Sequence, residues 1–199
     1  MITGRTLVFD GMITGDSVLE AIRIARASDV PLETLRITSP GGDIPSGIEF
    51  GYFVKELGLN VEVSKLCFSA CANYVIPAGN KVTIKKDALV GWHGGARQSD
   101  ALWKQSVPQR YHADLITFLT RMRIKENAFF EHVKVDPNIT VYGQTSLKRC
   151  QLTKTSDGWY YSIADLNKMG VNNIEVQGEL ASETEYQGQK IRSCLMPSA

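Results

Sequence analysis

Short apolar stretches alternate with longer amphipathic ones through the first half of the chain. Thr6 to Phe9 reads as a strand and stops at Asp10-Gly11. Val18, Leu19, Ile22 and Ala25 then recur at helical spacing, with Asp16 placed to cap the helix. Leu35 to Thr38 is a second strand, closed by Ser39-Pro40-Gly41-Gly42. Pro45 and Ser46 open a second helix, which carries Ile48, Phe50, Phe53, Val54 and Leu57 and ends at Gly58. Asn60 to Ser64 alternates Val61 and Val63 as strands do. Ser69 to Ile76 is small and apolar, the pattern of a buried helix, and Gly79 closes it. Lys81 to Ile84 and Ala88 to Trp92 predict two more strands.

The second half is more helical and less regular. Ser99 to Val133 has an apolar stripe of Leu115, Phe118, Leu119, Met122, Phe129 and Phe130, with Pro108 as a break or a start. Asp136 to Thr155 is irregular, with a short strand expected near Val141. Ser162 to Gly170 predicts a short capped helix and Asn173 to Val176 a strand. The tail from about residue 178 to 199 is polar and poorly patterned. Strands alternating with helices predict an α/β fold with crossover connections. In such folds ligands bind beyond the carboxyl ends of strands. Both Ser39-Pro40-Gly41-Gly42 and Ser69 fall there.

Composition narrows the class. The chain has 199 residues, 43% of them hydrophobic, enough for one domain with a substantial core. With 22 basic and 21 acidic residues, nothing in the charge points to nucleic acid or an anionic membrane. No apolar run approaches the roughly 18 residues of a spanning helix. No leader pattern opens the chain, and whether a leader or anchor precedes it is open. None of the four cysteine spacings reads as a zinc site. Cys67 and Cys71 lie one helical turn apart, where they share a face without disulfide geometry, and read as small buried packing residues. Cys150 and Cys194 sit in polar contexts. A bridge between them would imply an oxidising compartment, and the spacing leaves it open.

The chemistry-bearing residues are Ser69, His93 and the glycine pair. A serine hydroxyl needs a base with a pKa near 7, and His93, at the end of the Ala88 to Trp92 strand, is the obvious one. Gly94 and Gly95 after it leave space for a substrate. The backbone N–H groups of Gly42 and Ala70 can serve as oxyanion donors. Taken singly, each feature has an ordinary reading: a turn, a helix cap, a structural histidine.

Together they resemble a known pattern. Ile37-Thr38-Ser39-Pro40-Gly41-Gly42, followed by Gly47, resembles the glycine motif of the Clp-type serine endopeptidases. Phe68-Ser69-Ala70, Ala78-Gly79 and Ala88 to His93 are similar to that family's nucleophile helix and histidine strand. The resemblance covers Thr6 to His93, is weak in between, and resumes from Asp157 to Val171. The cysteines beside Ser69 make the chain more similar to small secreted or periplasmic relatives than to the cytosolic subunit.

The resemblance implies a single Clp-like domain over 1–199, built of repeated β-β-α units with a helical handle at about 99–134. It implies a serine peptidase with Ser69 as nucleophile, His93 as general base, Asp157 as the orienting acid, and Gly42 and Ala70 as the oxyanion hole. Asp136 is the alternative acid. A related branch with a serine–lysine dyad makes Lys125 the alternative base. The implied substrate is a peptide or protein, and a homo-oligomer is expected. Neither a cofactor nor a metal is implied, nor an ATP-driven unfoldase partner, and a periplasmic or extracytoplasmic location is favoured over the cytoplasm. Two other functions remain open: a crotonase-like acyl-CoA enzyme, and a non-catalytic scaffold that keeps the fold.

Overall fold

The computed structural model describes residues 1–145 and 156–197. Four elements alternate first: β2 (Thr6–Asp10, after the short β1, Ile2–Thr3), α1 (Gly15–Arg26), β3 (Thr34–Ser39) and α2 (Ile44–Glu56). β4 (Asn60–Phe68) follows, then a π-helix over Cys71–Val75 and the single turn α3 (Ile76–Ala78). β5 (Val82–Ile84) and β6 (Leu89–Gly91) close this half. The main sheet has the order β1-β2-β3-β4-β5-β8, where β8 is Ile174–Val176, and β6 branches off β4. All pairings except β1 with β2 are parallel. This is the expected α/β arrangement.

β4 organises the fold. It pairs with β5 through Val61–Val63 and with β6 through Leu66–Phe68. Its register against β3 slips between Ile37 and Ser39. Such a bulge bends a strand. Here the bend lets one strand serve two neighbours and carries its last residues toward β6. Val61 and Val63 are buried on one face of its first half, and the consecutive Leu66, Cys67 and Phe68 are all buried, as a strand covered on both faces requires.

The helices start where local chemistry dictates. Thr14, and not Asp16, caps α1: its hydroxyl accepts from the Ser17 N–H, and the Ser17 hydroxyl in turn accepts from the Thr14 N–H. Asp16 sits in the first turn, where a negative charge suits the helix dipole. Asp43 caps α2 by accepting from the Ser46 N–H at 2.8 Å. The region after residue 99 forms α4 (Asp100–Gln105), a 3-10 turn at Gln109–Tyr111, and the long α5 (His112–Val133). The expected strand near Val141 is absent. Asp136 instead caps a 3-10 turn, Pro137–Thr140, by accepting from the Asn138 N–H, and α6 (Tyr142–Thr145) follows. Residues 146–155 lie outside the described part, and with them the question of a Cys150–Cys194 bridge.

A second sheet follows. β7 (Gly158–Tyr160) pairs in parallel with β10 (Gln189–Leu195), which pairs antiparallel with β9 (Glu183–Tyr186). The polar tail is thus a hairpin. Gln187 and Gly188 turn it, both at positive φ, as a two-residue hairpin turn demands. Trp92 and Trp159 join the sheets: each backbone N–H donates to the other's carbonyl, at 2.7 and 3.0 Å. Ala181, Tyr186 and Ile191 pack against Leu66, Phe68 and Leu89, so the hairpin covers the end of β4. Among the described residues no helix is long and apolar enough to cross a membrane.

Candidate active site

Ser69 does not begin a helix. It is a left-handed residue, φ +54°, set between the end of β4 and the π-helix. For a residue with a Cβ that conformation costs about 1–3 kcal/mol and persists only where the surroundings hold it. The Ser69 N–H donates to the Gly91 carbonyl at 2.9 Å, and its carbonyl accepts from the Asn73 N–H at 2.8 Å. The result is a sharp elbow with a half-buried serine at its tip.

The elbow explains a correction. Cys67 and Cys71 are not packing neighbours on one helix: they are joined as a disulfide, with Cα atoms 5.2 Å apart. Cys67 lies in the strand and Cys71 opens the π-helix. The left-handed turn at Ser69 folds one back over the other, a geometry that a helical reading of residues 69–76 does not contain. The bridge closes a small covalent ring around the serine.

The glycine turn lies directly against this ring. Ser39 is fully buried, and its hydroxyl accepts from the Gly41 N–H at 3.1 Å. Gly41 adopts φ +91°, and a Cβ there would lie 2.8 Å from both Ala70 N and Ser69 Cβ. A Cβ on Gly42 would collide with the Ile13 carbonyl. Ile13 accepts from the Asp43 N–H and donates to the Gly41 carbonyl, which turns Gly42's own N–H the other way. Among the described residues neither the Gly42 N–H nor the Ala70 N–H donates a hydrogen bond. Both N–H groups belong to segments packed together at the serine, with a Cβ on Gly41 falling 2.8 Å from Ala70 N.

His93 follows β6, whose Gly91 pairs with Phe68. Its carbonyl accepts from the Asn73 amide at 2.9 Å, and its ring lies 6.1 Å from the Phe68 ring, centre to centre. Asn73 therefore ties the elbow to the histidine through its backbone N–H and its side chain. The His93 side chain reaches solvent, yet neighbouring protein removes enough water to hold its pKa below the ordinary value. The Asp157 carboxylate opposes that shift and raises it. Among the described residues no hydrogen bond joins Ser69 Oγ to His93, or His93 to Asp157.

Of the two candidate acids, Asp157 is the one whose charge acts on His93. It precedes β7, and its carboxylate accepts from the Arg192 N–H at 2.9 Å, while its own N–H donates to the Arg192 carbonyl. Asp136 is engaged elsewhere. Its carboxylate accepts from the Asn138 N–H and the Tyr142 hydroxyl. Lys125 is exposed on α5. Gly94 and Gly95 do not leave the open space expected of them. A side chain on Gly94 would meet Gln98 and Gln144, and one on Gly95 would meet the Glu126 carboxylate.

Sequence reasoning missed three contributors: Asn73, Tyr74 and Glu126. Tyr74 is fully buried and donates its hydroxyl to Glu126 at 2.6 Å. Burial pushes that hydroxyl's pKa well up, and the neighbouring carboxylate adds to the effect. A usable signal was present in the polar Asn73-Tyr74 inside an otherwise apolar run, since a buried polar side chain needs a partner. Among the described residues no group of three or more His, Cys, Asp or Glu side chains is arranged to hold a metal ion.

No family model and no curated protein matches the chain. It is similar to solved structures, at low identity. ClpP1 from Listeria monocytogenes is 16% identical with a TM-score of 0.49, the match covering 88% of this chain and 92% of that one. An N165D mutant of the same Listeria protein gives 17% and 0.47, over 87% and 92%. The ClpP protease catalytic domain from Plasmodium falciparum gives 12% and 0.46, over 88% and 87%.

Proposed function

We propose that the chain is a Clp-like serine peptidase that cleaves peptide bonds through an acyl-enzyme at Ser69. The observation that carries this reading is the elbow. Ser69 is held in a left-handed turn, with the unengaged Gly42 and Ala70 N–H groups beside it and His93 anchored to the same elbow through Asn73. A serine whose role is only to cap or pack does not need a strained backbone, a disulfide ring and two free donors at one point.

The chemistry follows from the groups. Ser69 Oγ attacks the carbonyl carbon of the scissile bond as the neutral His93 imidazole takes its proton. The carbonyl oxygen becomes an oxyanion and receives hydrogen bonds from Gly42 and Ala70 N–H. The intermediate collapses when His93 returns the proton to the departing amine, leaving an ester on Ser69. Water attacks that ester as His93 takes its proton, and the second intermediate collapses when His93 gives that proton to Ser69 Oγ, releasing the acid and the free serine. Asp157 stabilises the imidazolium by its charge, the influence already visible on His93. Hydrogen bonds between nucleophile and base are often long without substrate and shorten in the Michaelis complex. That accounts for the unclosed Ser69–His93 and His93–Asp157 contacts.

The same reading takes α4 and α5 as the handle of a single Clp-like domain and expects self-assembly into a homo-oligomer acting on peptide or protein substrates. The Cys67–Cys71 bridge supports an oxidising, extracytoplasmic setting, since disulfides are rare in reducing compartments.

A fluorophosphonate probe tests the reading. The native chain is expected to label at one site, and Ser69→Ala and His93→Ala are expected to lose the label. A native chain that stays unlabelled at every protein concentration tried would favour the scaffold alternative. Binding of an acyl-CoA without labelling would favour the crotonase-like one.

A further inference from the structure

We propose that Glu126 is a positioning residue of the site: from inside helix α5 its carboxylate sets the loop that carries His93 and locks it to the helix that follows Ser69. The proposal rests on the peptidase reading for its catalytic consequence, while the positioning itself can be read without catalysis.

The need for such an anchor is visible in the chain. His93 is followed by Gly94 and Gly95, the two residues least able to fix a backbone by themselves. Whatever holds the histidine from its C-terminal side must act beyond them. Glu126 acts there. Its Oε1 accepts from the Ala96 N–H at 3.1 Å and its Oε2 from the Arg97 N–H at 3.2 Å. Oε1 also accepts from the Tyr74 hydroxyl at 2.6 Å, and Tyr74 lies in the π-helix of the elbow. One carboxylate thus joins three segments: α5, the His93 loop and the nucleophile helix. Arg123, one turn earlier on α5, completes the grip. Its Nε donates to the Ala96 carbonyl at 2.9 Å and its Nη2 to the Gln98 carbonyl at 3.0 Å. Both backbone polar groups of Ala96 are therefore held by the same face of α5.

Glu126 has 0% exposure. A buried carboxylate is costly unless its oxygens are hydrogen-bonded. Burial does push the Glu126 carboxyl up from its ordinary value, and the hydrogen bonds from Tyr74, Ala96 and Arg97 pull against that. Packing alone does not explain it, because an apolar side chain would fill the space without that cost. What the carboxylate uniquely supplies is acceptance from two successive backbone N–H groups and a tyrosine. Gly95 fits this account: a Cβ there would run into Oε1, so the glycine lets the loop come close to the carboxylate.

The test compares Glu126→Gln, Glu126→Asp and a control, Val18→Ala, which weakens the core in α1 away from the site. Glutamine keeps the shape but sets an amide donor against backbone donors. Aspartate keeps the charge but is one methylene short. Both Glu126 variants are expected to cut kcat at least tenfold with KM within twofold, and to slow fluorophosphonate labelling of Ser69 in proportion. Val18→Ala, at a similar loss of melting temperature, should leave kcat unchanged. In the NMR spectrum the His93 ring and the Ala96 and Arg97 amide signals should move in both Glu126 variants and stay in place in Val18→Ala. If either Glu126 variant folds with its His93 signals in place and kcat within twofold, the proposal is overturned. If the native chain itself is never labelled, the peptidase reading fails, and the NMR comparison alone still decides the positioning.

Discussion

The two ends of the candidate triad are built in opposite ways. Ser69 sits where the chain has the least freedom: a left-handed turn, bonded through its own N–H and carbonyl, ringed by a disulfide and pressed by a glycine turn. Asp157 is exposed, precedes a three-residue strand, and is fixed by reciprocal bonds to Arg192 in the hairpin. His93 stands between, tied to the elbow by Asn73 on one side and influenced by Asp157 on the other. On the proposed reading the nucleophile is pre-set by the backbone, whereas the acid acts from the rim through its charge. Rate should therefore depend steeply on the first end and gently on the second.

The sharpest break of that comparison is Ser69→Ala, expected to lower kcat by about 10⁴-fold or more with the fold intact. Far-UV circular dichroism alongside a peptide-cleavage assay separates chemistry from unfolding. Next comes Gly42→Ala. Its methyl group would meet the Ile13 carbonyl and displace the Gly42 N–H, so kcat should fall by about 10²–10³-fold. A loss under threefold would mean that Gly42 is not an oxyanion donor. Asp157→Asn should cost less, on the order of tenfold, because the acid makes no hydrogen bond to His93 in this structure. Asp136→Asn should leave the rate unchanged. Equal losses in both would erase the distinction between the two acids.

The pH profile sharpens the same point. His93 must be neutral to act as base, so kcat/KM should rise with pH through a midpoint below the ordinary histidine value of 6.5, because burial lowers its pKa. Asp157 raises that pKa, so Asp157→Asn should move the midpoint further down. A midpoint that stays put would remove Asp157 from the site. Last, replacing Cys67 and Cys71 by alanine should lower stability by about 2 kcal/mol, the loop-closure value for so short a ring. Urea unfolding measures it, and an unchanged midpoint would show that the elbow holds without its covalent ring.

Much of the first end was legible in the sequence. The strand before His93 is buried throughout and reads as an apolar run, and the strand before the glycine turn carries Leu35 and Ile37 in alternation and stops at Ser39-Pro40-Gly41-Gly42, so their ends could be placed. The disulfide was not legible, because the helical reading of residues 69–76 hid the left-handed turn that brings Cys67 and Cys71 together. The second end was hard to read for another reason. β9 and β10 carry Glu183, Glu185, Gln189 and Lys190 on exposed faces, so their alternation of apolar and polar positions is weak. Gln187-Gly188 was the one local sign of a hairpin. Nothing in the sequence singled out Glu126, since helical spacing says which residues share a face and not which loop will cover it.

The pairing of β7 with β10 makes the Asp157 end depend on a residue 35 positions further along the chain. Asp157 is bound by Arg192, and the Gly158–Tyr160 strand by Ser193 to Leu195. A growing chain that has not yet reached Arg192 lacks the partner that fixes Asp157. It cannot yet hold the acid in place. On the proposed peptidase reading, a chain stopped before Arg192 therefore carries Ser69 without a fixed Asp157 to stabilise the His93 imidazolium.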